Sequence, residues 1–426
     1  MRDSSHLPPD RCLKVLILGL NYAPEKVGIA IYTTALAEAL ALRGHNVRVV
    51  AGKPYYPSWD VPADFRGGWT RRTIEGGVDV TRVAHYVPKT PTGVRRILHH
   101  ASFAFSCLIP MLQRARQQRP DVVLTIAPSL IAAPVARFAA LTRGARSWLQ
   151  IQDFEVEAAM ATGLLGGKWG TASLARRFER AVLAMFDRVS SISPAMCKKL
   201  IDKGVTSDHV VEFRNWAEID RVRPLEGDSS YRAEWGITTP HVALYSGNIA
   251  NKQGIDIVVA AARSLAHRKD LTFVVCGEGP NRASLEENAA GLTNIRFHDL
   301  QPKERLGDLL GLATIHLLPQ LASAADLVLP SKLANMLASG RAVVATALSG
   351  TGLASEVAGC GLVTPPEDGQ AFAAAIERLI DNETERTAFA VAGRQRAEER
   401  WEREAIIDGF EDQLIGLVAA GKPTRT

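Results

Sequence analysis

Short apolar runs alternate with stretches of helical periodicity along most of the chain, the pattern of a parallel sheet covered by helices on both faces. In the first half, Lys14 to Leu20, Val47 to Ala51, Val78 to Val83, Asp121 to Ile126, Ala145 to Gln152 and Asp187 to Ser193 predict six strands. Helices are expected from about Ile29 to Arg43, closed by Gly44, and around 129–142 and 170–186. The pattern breaks near Arg214-Asn215-Trp216, and residues 220–240, rich in Pro, Gly, Asp and Ser, read as a linker. Strands recur near 242–246, 271–276, 294–298, 313–318, 342–345 and 361–363, with a helix near 368–381 and helix alone over 383–419. Two successive doubly wound α/β domains follow, which suits a chain of 426 residues.

Two stretches stand apart from this alternation. Lys53-Pro54-Tyr55-Tyr56-Pro57-Ser58-Trp59 is too punctuated for a strand; it is either a surface loop packed by its own aromatics or a wall for a bound acceptor. Val94 to Arg119 is an apolar helical stretch flanked by arginines, either a helix lying at a membrane surface or a core helix kinked near Pro110. No run approaches the roughly 18 apolar residues of a membrane span.

Charge divides the halves. Residues 1–215 hold 29 Lys and Arg against 17 Asp and Glu, whereas 216–426 hold 21 against 28. A basic half can face nucleic acid, an anionic membrane or a phosphorylated ligand, and no nucleic-acid-binding signature accompanies it. Cys12, Cys107, Cys197, Cys276 and Cys360 are scattered without metal-like spacing and read as reduced residues of a cytoplasmic protein. Residues 1–13, polar and proline-containing, read as a loose tail rather than a signal peptide.

Candidate chemistry gathers after strands. The strand Val242 to Tyr245 runs into Ser246-Gly247-Asn248, and Lys252 precedes a helix opening near Gly254. Exposed amides, a helix start and a lysine suit a diphosphate, although an ordinary strand-to-helix turn has the same shape. Gly277-Glu278-Gly279-Pro280 and Pro330-Ser331-Lys332 follow later strands; Ser331 can cap a helix there while Lys332 reaches phosphate, and Glu278 is either structural or a nucleotide contact. In the first half, Gly28 would let the backbone approach phosphates, and Asp153, after a strand, could take a proton from an acceptor hydroxyl or cap a helix.

The two-domain alternation, the Gly28 loop, the Gly247 to Gly254 turn, Cys276-Gly277-Glu278-Gly279-Pro280, and Leu329-Pro330-Ser331-Lys332 leading to Ala338-Ser339-Gly340-Arg341 resemble glycosyltransferase family 4. Within it, Leu20-Asn21-Tyr22-Ala23-Pro24-Glu25, the Lys53 to Pro57 loop and Ile151-Gln152-Asp153-Phe154-Glu155 are most similar to enzymes of colanic-acid and exopolysaccharide assembly. The resemblance implies a GT-B fold of two Rossmann-like domains facing a cleft: 1–215 for the acceptor, rejoined by a helix from about 403 to 426, and 216–402 for the nucleotide sugar.

It also implies a retaining transferase that moves a sugar from a UDP- or GDP-sugar to a polyprenyl-diphosphate-linked saccharide, peripherally at the cytoplasmic membrane face. On that reading Asp153, Lys252 and Asp326 carry the reaction. Gly28, Ser246, Gly247, Asn248, Lys252, Gly277, Glu278, Ser331, Lys332 and Asn335 hold the donor. No cofactor is implied, and with no Asp-x-Asp cluster no metal is expected.

The chain departs from the family at two acidic positions, which fall here at Leu327 and Asn335, and at an acceptor-side histidine, where Asp153 stands. Asp326 lies one residue from the first, and Asn335 can still bond a ribose hydroxyl. A sugar-nucleotide 2-epimerase and a non-catalytic nucleotide-sugar-binding subunit are the alternatives. The first wants acidic and histidine groups that the region lacks; the second is favoured by the missing glutamates.

Overall fold

The structure is a computed structural model that describes residues 12–26, 28–161, 169–249, 253–324 and 330–420. The chain forms two compact units, one of residues up to Arg214 together with the segment from Ile407, the other Asn215–Ile406.

The first unit is built on an eight-stranded sheet: β1 (Lys14–Gly19), β2 (Asn46–Gly52), β3 (Thr70–Glu75), β4 (Val78–Val83), β5 (Val122–Ala127), β6 (Arg146–Ile151), β7 (Arg188–Ser191) and β8 (Val210–Glu212). They lie in the order β3-β4-β2-β1-β5-β6-β7-β8. All pairings are parallel except β3 with β4. Six strands were legible as apolar runs; β3 and β8 were not, for physical reasons. β3 is an edge strand with no buried residue, and β8 has three residues, too few for a pattern. By contrast every residue of β5 is buried, as a central strand covered on both faces requires.

Helices α1 (Ile29–Leu42), α2 (Gly93–Gln118), α3 (Ala133–Leu141), α4 (Glu155–Ala161), α5 (Trp169–Leu183) and α6 (Pro194–Asp202) connect the strands. The long helix α2 runs unbroken through Pro110. It packs Phe103, Cys107, Met111 and Ala115 into the core shared with Leu16, Leu18 and Ala136, so this face belongs to the core. Its outer side still exposes Val94, Leu98, Phe105 and Ile109, next to exposed Arg95 and Arg96.

The second unit repeats the scheme with β9 (His241–Ser246), β10 (Leu271–Cys276), β11 (Ile295–His298), β12 (Ile315–Leu318), β13 (Ala342–Thr346) and β14 (Gly361–Thr364). Their order, β11-β10-β9-β12-β13-β14, is that of a Rossmann sheet, reversing between β9 and β12. Helices α7 (Ser230–Glu234), α8 (Asp256–Ser264), α9 (Arg282–Asn288), α10 (Leu306–Gly311), α11 (Lys332–Ala338), α12 (Gly352–Val357), α13 (Gly369–Asp381) and α14 (Glu383–Trp401) cover it. The amphipathic helix α13 buries Phe372, Ala373, Ile376, Leu379 and Ile380, and the Asp368 side chain accepts from Ala371 N at 2.9 Å to cap its start.

Residues 220–240 are not a loose linker. Val222, Tyr231 and Ile237 are buried, the Tyr231 hydroxyl donates to Gln301 Oε1 at 3.1 Å, and Arg305 lies 3.9 Å over the Tyr231 ring. Composition suggested a linker because the buried residues are few and separated by turn formers.

After α14 the helix α15 (Arg403–Ala419) ends in the first unit. There Phe410 stacks on Phe213 with centroids 4.1 Å apart and meets Trp148 edge-on at 5.0 Å. Glu411 pairs with buried His45 at 2.9 Å, and Asp408 with Arg43 at 2.6 Å.

Candidate active site

In a Rossmann sheet the ligand crevice opens at the strand carboxyl ends where the order reverses, here after β9 and β12. The turns after β9 and β10 interlock at this place. Gly247 N donates to Cys276 O at 2.9 Å, and Ile249 N to Glu278 O at 2.8 Å. A Cβ on Gly277 would sit 1.9 Å from Gly247 O, and one on Gly279 2.2 Å from Ile249 O. Only glycine lets two backbones approach so closely. Gly247 itself has φ +134°, outside the range of ordinary side chains.

Lys332, the first residue of α11, completes this corner. Its Nζ lies 3.9 Å from the centroid of the Tyr245 ring and 3.4 Å from where a Cβ on Gly247 would be. The stem is partly exposed, but the Nζ is closed off from solvent and has no hydrogen-bond partner among the described residues. Burial pulls its pKa down to about 7. Tyr245, fully buried at the end of β9, supports the arrangement: its hydroxyl donates to Asn248 O at 2.5 Å while its ring face meets the amine. A buried amine without a partner is costly unless an anion joins it.

The remaining donor-side candidates divide. Ser246, Gly247, Asn248 and Gly277 share this rim, with Asn248 exposed. Glu278 serves through its backbone and points its side chain to solvent. Ser331 is exposed and does not cap α11, because its φ and ψ of −59° and −22° are already helical and aim the hydroxyl away from the amides. Asn335 Oδ1 accepts from Glu218 N at 2.9 Å, which ties α11 to the chain entering this unit and leaves that oxygen engaged. Lys252 and Asp326 lie outside the described residues.

The first unit presents its own chemistry at the carboxyl ends of its strands. Gly28 opens α1 with φ +65° and ψ −145°, a conformation open in practice to glycine alone. Behind it Glu25 is buried; its carboxylate accepts from Tyr55 N and Tyr56 N at 2.8 and 2.9 Å and from Asn21 Nδ2 at 2.9 Å, and burial raises its pKa.

The aromatic loop therefore does not pack only on itself. Tyr55 lies edge-on to Trp59, His85 and His99 with centroids 5.1, 5.4 and 4.6 Å apart. The Nε2 atoms of His85 and His99 are buried without a hydrogen-bond partner among the described residues, and burial lowers the pKa of both rings.

Asp153 follows β6 and is half-buried, two residues before Glu155. Glu155 Oε1 accepts from Ser129 N and Leu130 N at 2.7 and 2.8 Å. Its pKa is nonetheless pushed up to about 7, first by burial and further by the charge of Asp153. Glu25, Glu155, Tyr245 and the histidines had no signal as site residues in the sequence, because the partners that place them, such as Tyr55, Ser129 and Lys332, are distant in the chain.

Two Rossmann-like units, the second carrying a glycine-lined turn beside a lysine whose buried Nζ has no partner among the described residues, define a protein of the GT-B kind. The chain belongs to the glycosyltransferases of group 1 and family 4: residues 240–382 match Glycosyl transferases group 1, and 27–216 match the Glycosyl transferase 4-like domain. It is 38% identical over 414 residues, 95% of this chain and 100% of the other, to a protein of Escherichia coli (strain K12) described as a colanic acid biosynthesis glycosyl transferase, WcaI. Over 155 residues, 35% of this chain and 39% of the other, it is 29% identical to the alpha-D-kanosaminyltransferase of Streptomyces kanamyceticus.

Two solved structures share the fold. The sucrose-phosphate synthase of Thermosynechococcus elongatus has TM-score 0.73 at 17% identity, covering 96% of this chain and 100% of that one. Anabaena HepE in complex with UDP has TM-score 0.69 at 14% identity, covering 95% and 100%.

Proposed function

We propose that this glycosyltransferase moves a sugar from a UDP- or GDP-sugar to a polyprenyl-diphosphate-linked saccharide in exopolysaccharide assembly of the colanic-acid type. The observation that carries the reading is Lys332: a buried amine with no partner among the described residues, held against the Gly247 turn at the reversal point of the second sheet. A nucleoside diphosphate leaving group departs with negative charge, and a cation fixed in a site of low dielectric stabilises that charge without reorganisation. Lys252 would add a second cation, so the reaction is proposed to run without a metal. The relative described as a colanic acid glycosyl transferase supports the pathway, and the HepE structure with UDP supports the nucleotide class.

On the acceptor side, Asp153 would hold or deprotonate the attacking hydroxyl, with Glu155 two residues on. Asp326 would face the donor sugar. Attack from the face the diphosphate leaves would retain the anomeric configuration. The exposed Val94, Leu98, Phe105 and Ile109 beside Arg95 and Arg96 supply an apolar and basic face for the membrane in which a polyprenyl acceptor resides. Among the described residues no helix is long and apolar enough to cross a membrane.

The test is transfer of labelled sugar from a panel of UDP- and GDP-sugars to polyprenyl-diphosphate saccharides in vesicles, with chelator present. The reading predicts a lipid-linked product of retained anomeric configuration. Absence of both transfer and nucleotide binding across the panel overturns it.

A further inference from the structure

A cavity of about 650 Å³ opens in the second unit at the end of the sheet away from the Gly247 turn. The starts of β9, β12 and β13 border it at His241, Thr314 and Ala342, and α14 closes the other side with Arg386, Val391 and Arg394. Since β9 runs from His241 to Ser246, the cavity and the Gly247 turn lie about 20 Å apart along one strand at ~3.3 Å per residue.

Four arginines border this space: Arg232, Arg341, Arg386 and Arg394. Three of them have a carboxylate nearby. Arg232 lies 3.4 Å from Asp228 and donates to the carbonyls of Thr239 and Pro240. Arg386 lies 4.0 Å from Glu383 and donates to Leu379 O and Ile380 O. Arg394 lies 2.6 Å from Glu398 and donates to Val222 O and Ala338 O.

Arg341 differs. It gives one bond, Nη2 to Gly311 O at 3.2 Å, its Nε is sealed from solvent without a partner, and no carboxylate lies within ion-pair distance among the described residues. Burial and the like charges of Arg232 and Arg386 lower its pKa, opposed only by Asp228, which is itself largely exposed. A half-buried guanidinium pressed by two others, with one carbonyl as its acceptor and no carboxylate in ion-pair distance among the described residues, lacks a close counter-charge.

We propose that this cavity binds a phosphorylated small molecule of sugar-phosphate size, its phosphate held by Arg341 with Arg232 and Arg386. A phosphate offers enough oxygens to accept from several guanidinium groups at once, where a carboxylate offers two. The volume lies within the range of small-molecule sites and would stand largely empty around a bare phosphate. Exposed Thr387 on the wall offers a hydroxyl partner for a polyhydroxylated body, and Val391 an apolar edge. The site is separate from the proposed donor site and does not rest on the function proposed above.

The full chain is titrated calorimetrically with glucose 6-phosphate, glucose 1-phosphate, glucose and inorganic phosphate, alongside R341Q, T387E and K332Q. Thr387 is exposed on α14, so T387E brings a competing carboxylate into the cavity without disturbing the core. The proposal expects saturable binding of a sugar phosphate, tighter than inorganic phosphate and absent for glucose. R341Q and T387E should each weaken it by about tenfold or more, the loss expected for a charged hydrogen bond, and K332Q should leave it unchanged. Binding by none of the phosphates, equal binding by glucose, sugar-phosphate binding no tighter than inorganic phosphate, retention in both R341Q and T387E, or loss in K332Q overturns it.

Discussion

Replacing Lys332 by methionine keeps the length and apolar body of the side chain and removes the amine beneath the Gly247 turn. The folded pKa of that amine is about 7, against an ordinary lysine value of 10.5. Folding therefore favours the neutral form, and between these two values the unfolded chain binds the extra proton. Stability of the unliganded protein must then rise with pH above 7, by up to ~1.4 kcal/mol per pH unit. Integrated from pH 7 to pH 9, the contribution is about 2 kcal/mol. Below pH 7 both states are protonated and the slope vanishes.

The assay is denaturant unfolding of wild type and K332M at pH 6, 7, 8 and 9, with the difference between the two proteins plotted against pH. Methionine should make the protein more stable at pH 7 and lose about 2 kcal/mol of that advantage by pH 9. Donor binding inverts the preference, because a diphosphate favours the charged amine. At pH 8, where the phosphates themselves are already ionised, binding of a nucleoside diphosphate should take up close to one proton. Titrations in buffers of different ionisation enthalpy read this directly. A pH-independent difference between wild type and K332M, together with binding that takes up no proton, refutes the reasoning.

Other consequences are smaller in scope. G277A forces a Cβ to 1.9 Å from Gly247 O; it should cost several kcal/mol, on the order of 2 to 4, read as a lowered melting temperature together with lost nucleotide binding. Glu155, whose pKa is raised to about 7 from 4.5, binds its proton more tightly folded than unfolded. It should therefore make the protein lose about 2 to 3 kcal/mol of stability as pH rises from 4.5 to 7, and unfolding of E155Q should lack that fall. F410A removes a ring stacked 4.1 Å from Phe213 and should destabilise by roughly 3 to 5 kcal/mol in chemical denaturation.

The alternation of apolar runs made the sheets legible, since a central parallel strand is apolar throughout: all six strands of the second unit lie close to their expected positions. The edge strand β3 and the three-residue β8 escaped because neither is buried on both faces. The glycines of the turns after β9 and β10 were legible because a close backbone approach admits no other residue, as Gly277 and Gly279 show. Side-chain partners were less so. Ser331 had the composition of a cap and the wrong backbone angles, and Asn335 is engaged by Glu218 from a distant part of the chain. The opposition of Lys332 to Tyr245 joins residues 87 positions apart in the sequence, and spacing alone does not reveal such a pair.

The diphosphate cradle is tested most directly by titrating wild type and K332M with UDP, GDP, uridine and guanosine at pH 7. If Lys332 and the Gly247 turn hold the diphosphate, one nucleoside diphosphate should bind wild type at least about tenfold more tightly than its nucleoside, and K332M should lose most of that advantage. Equal affinity for nucleoside and nucleoside diphosphate, or an advantage unchanged in K332M, would contradict the account.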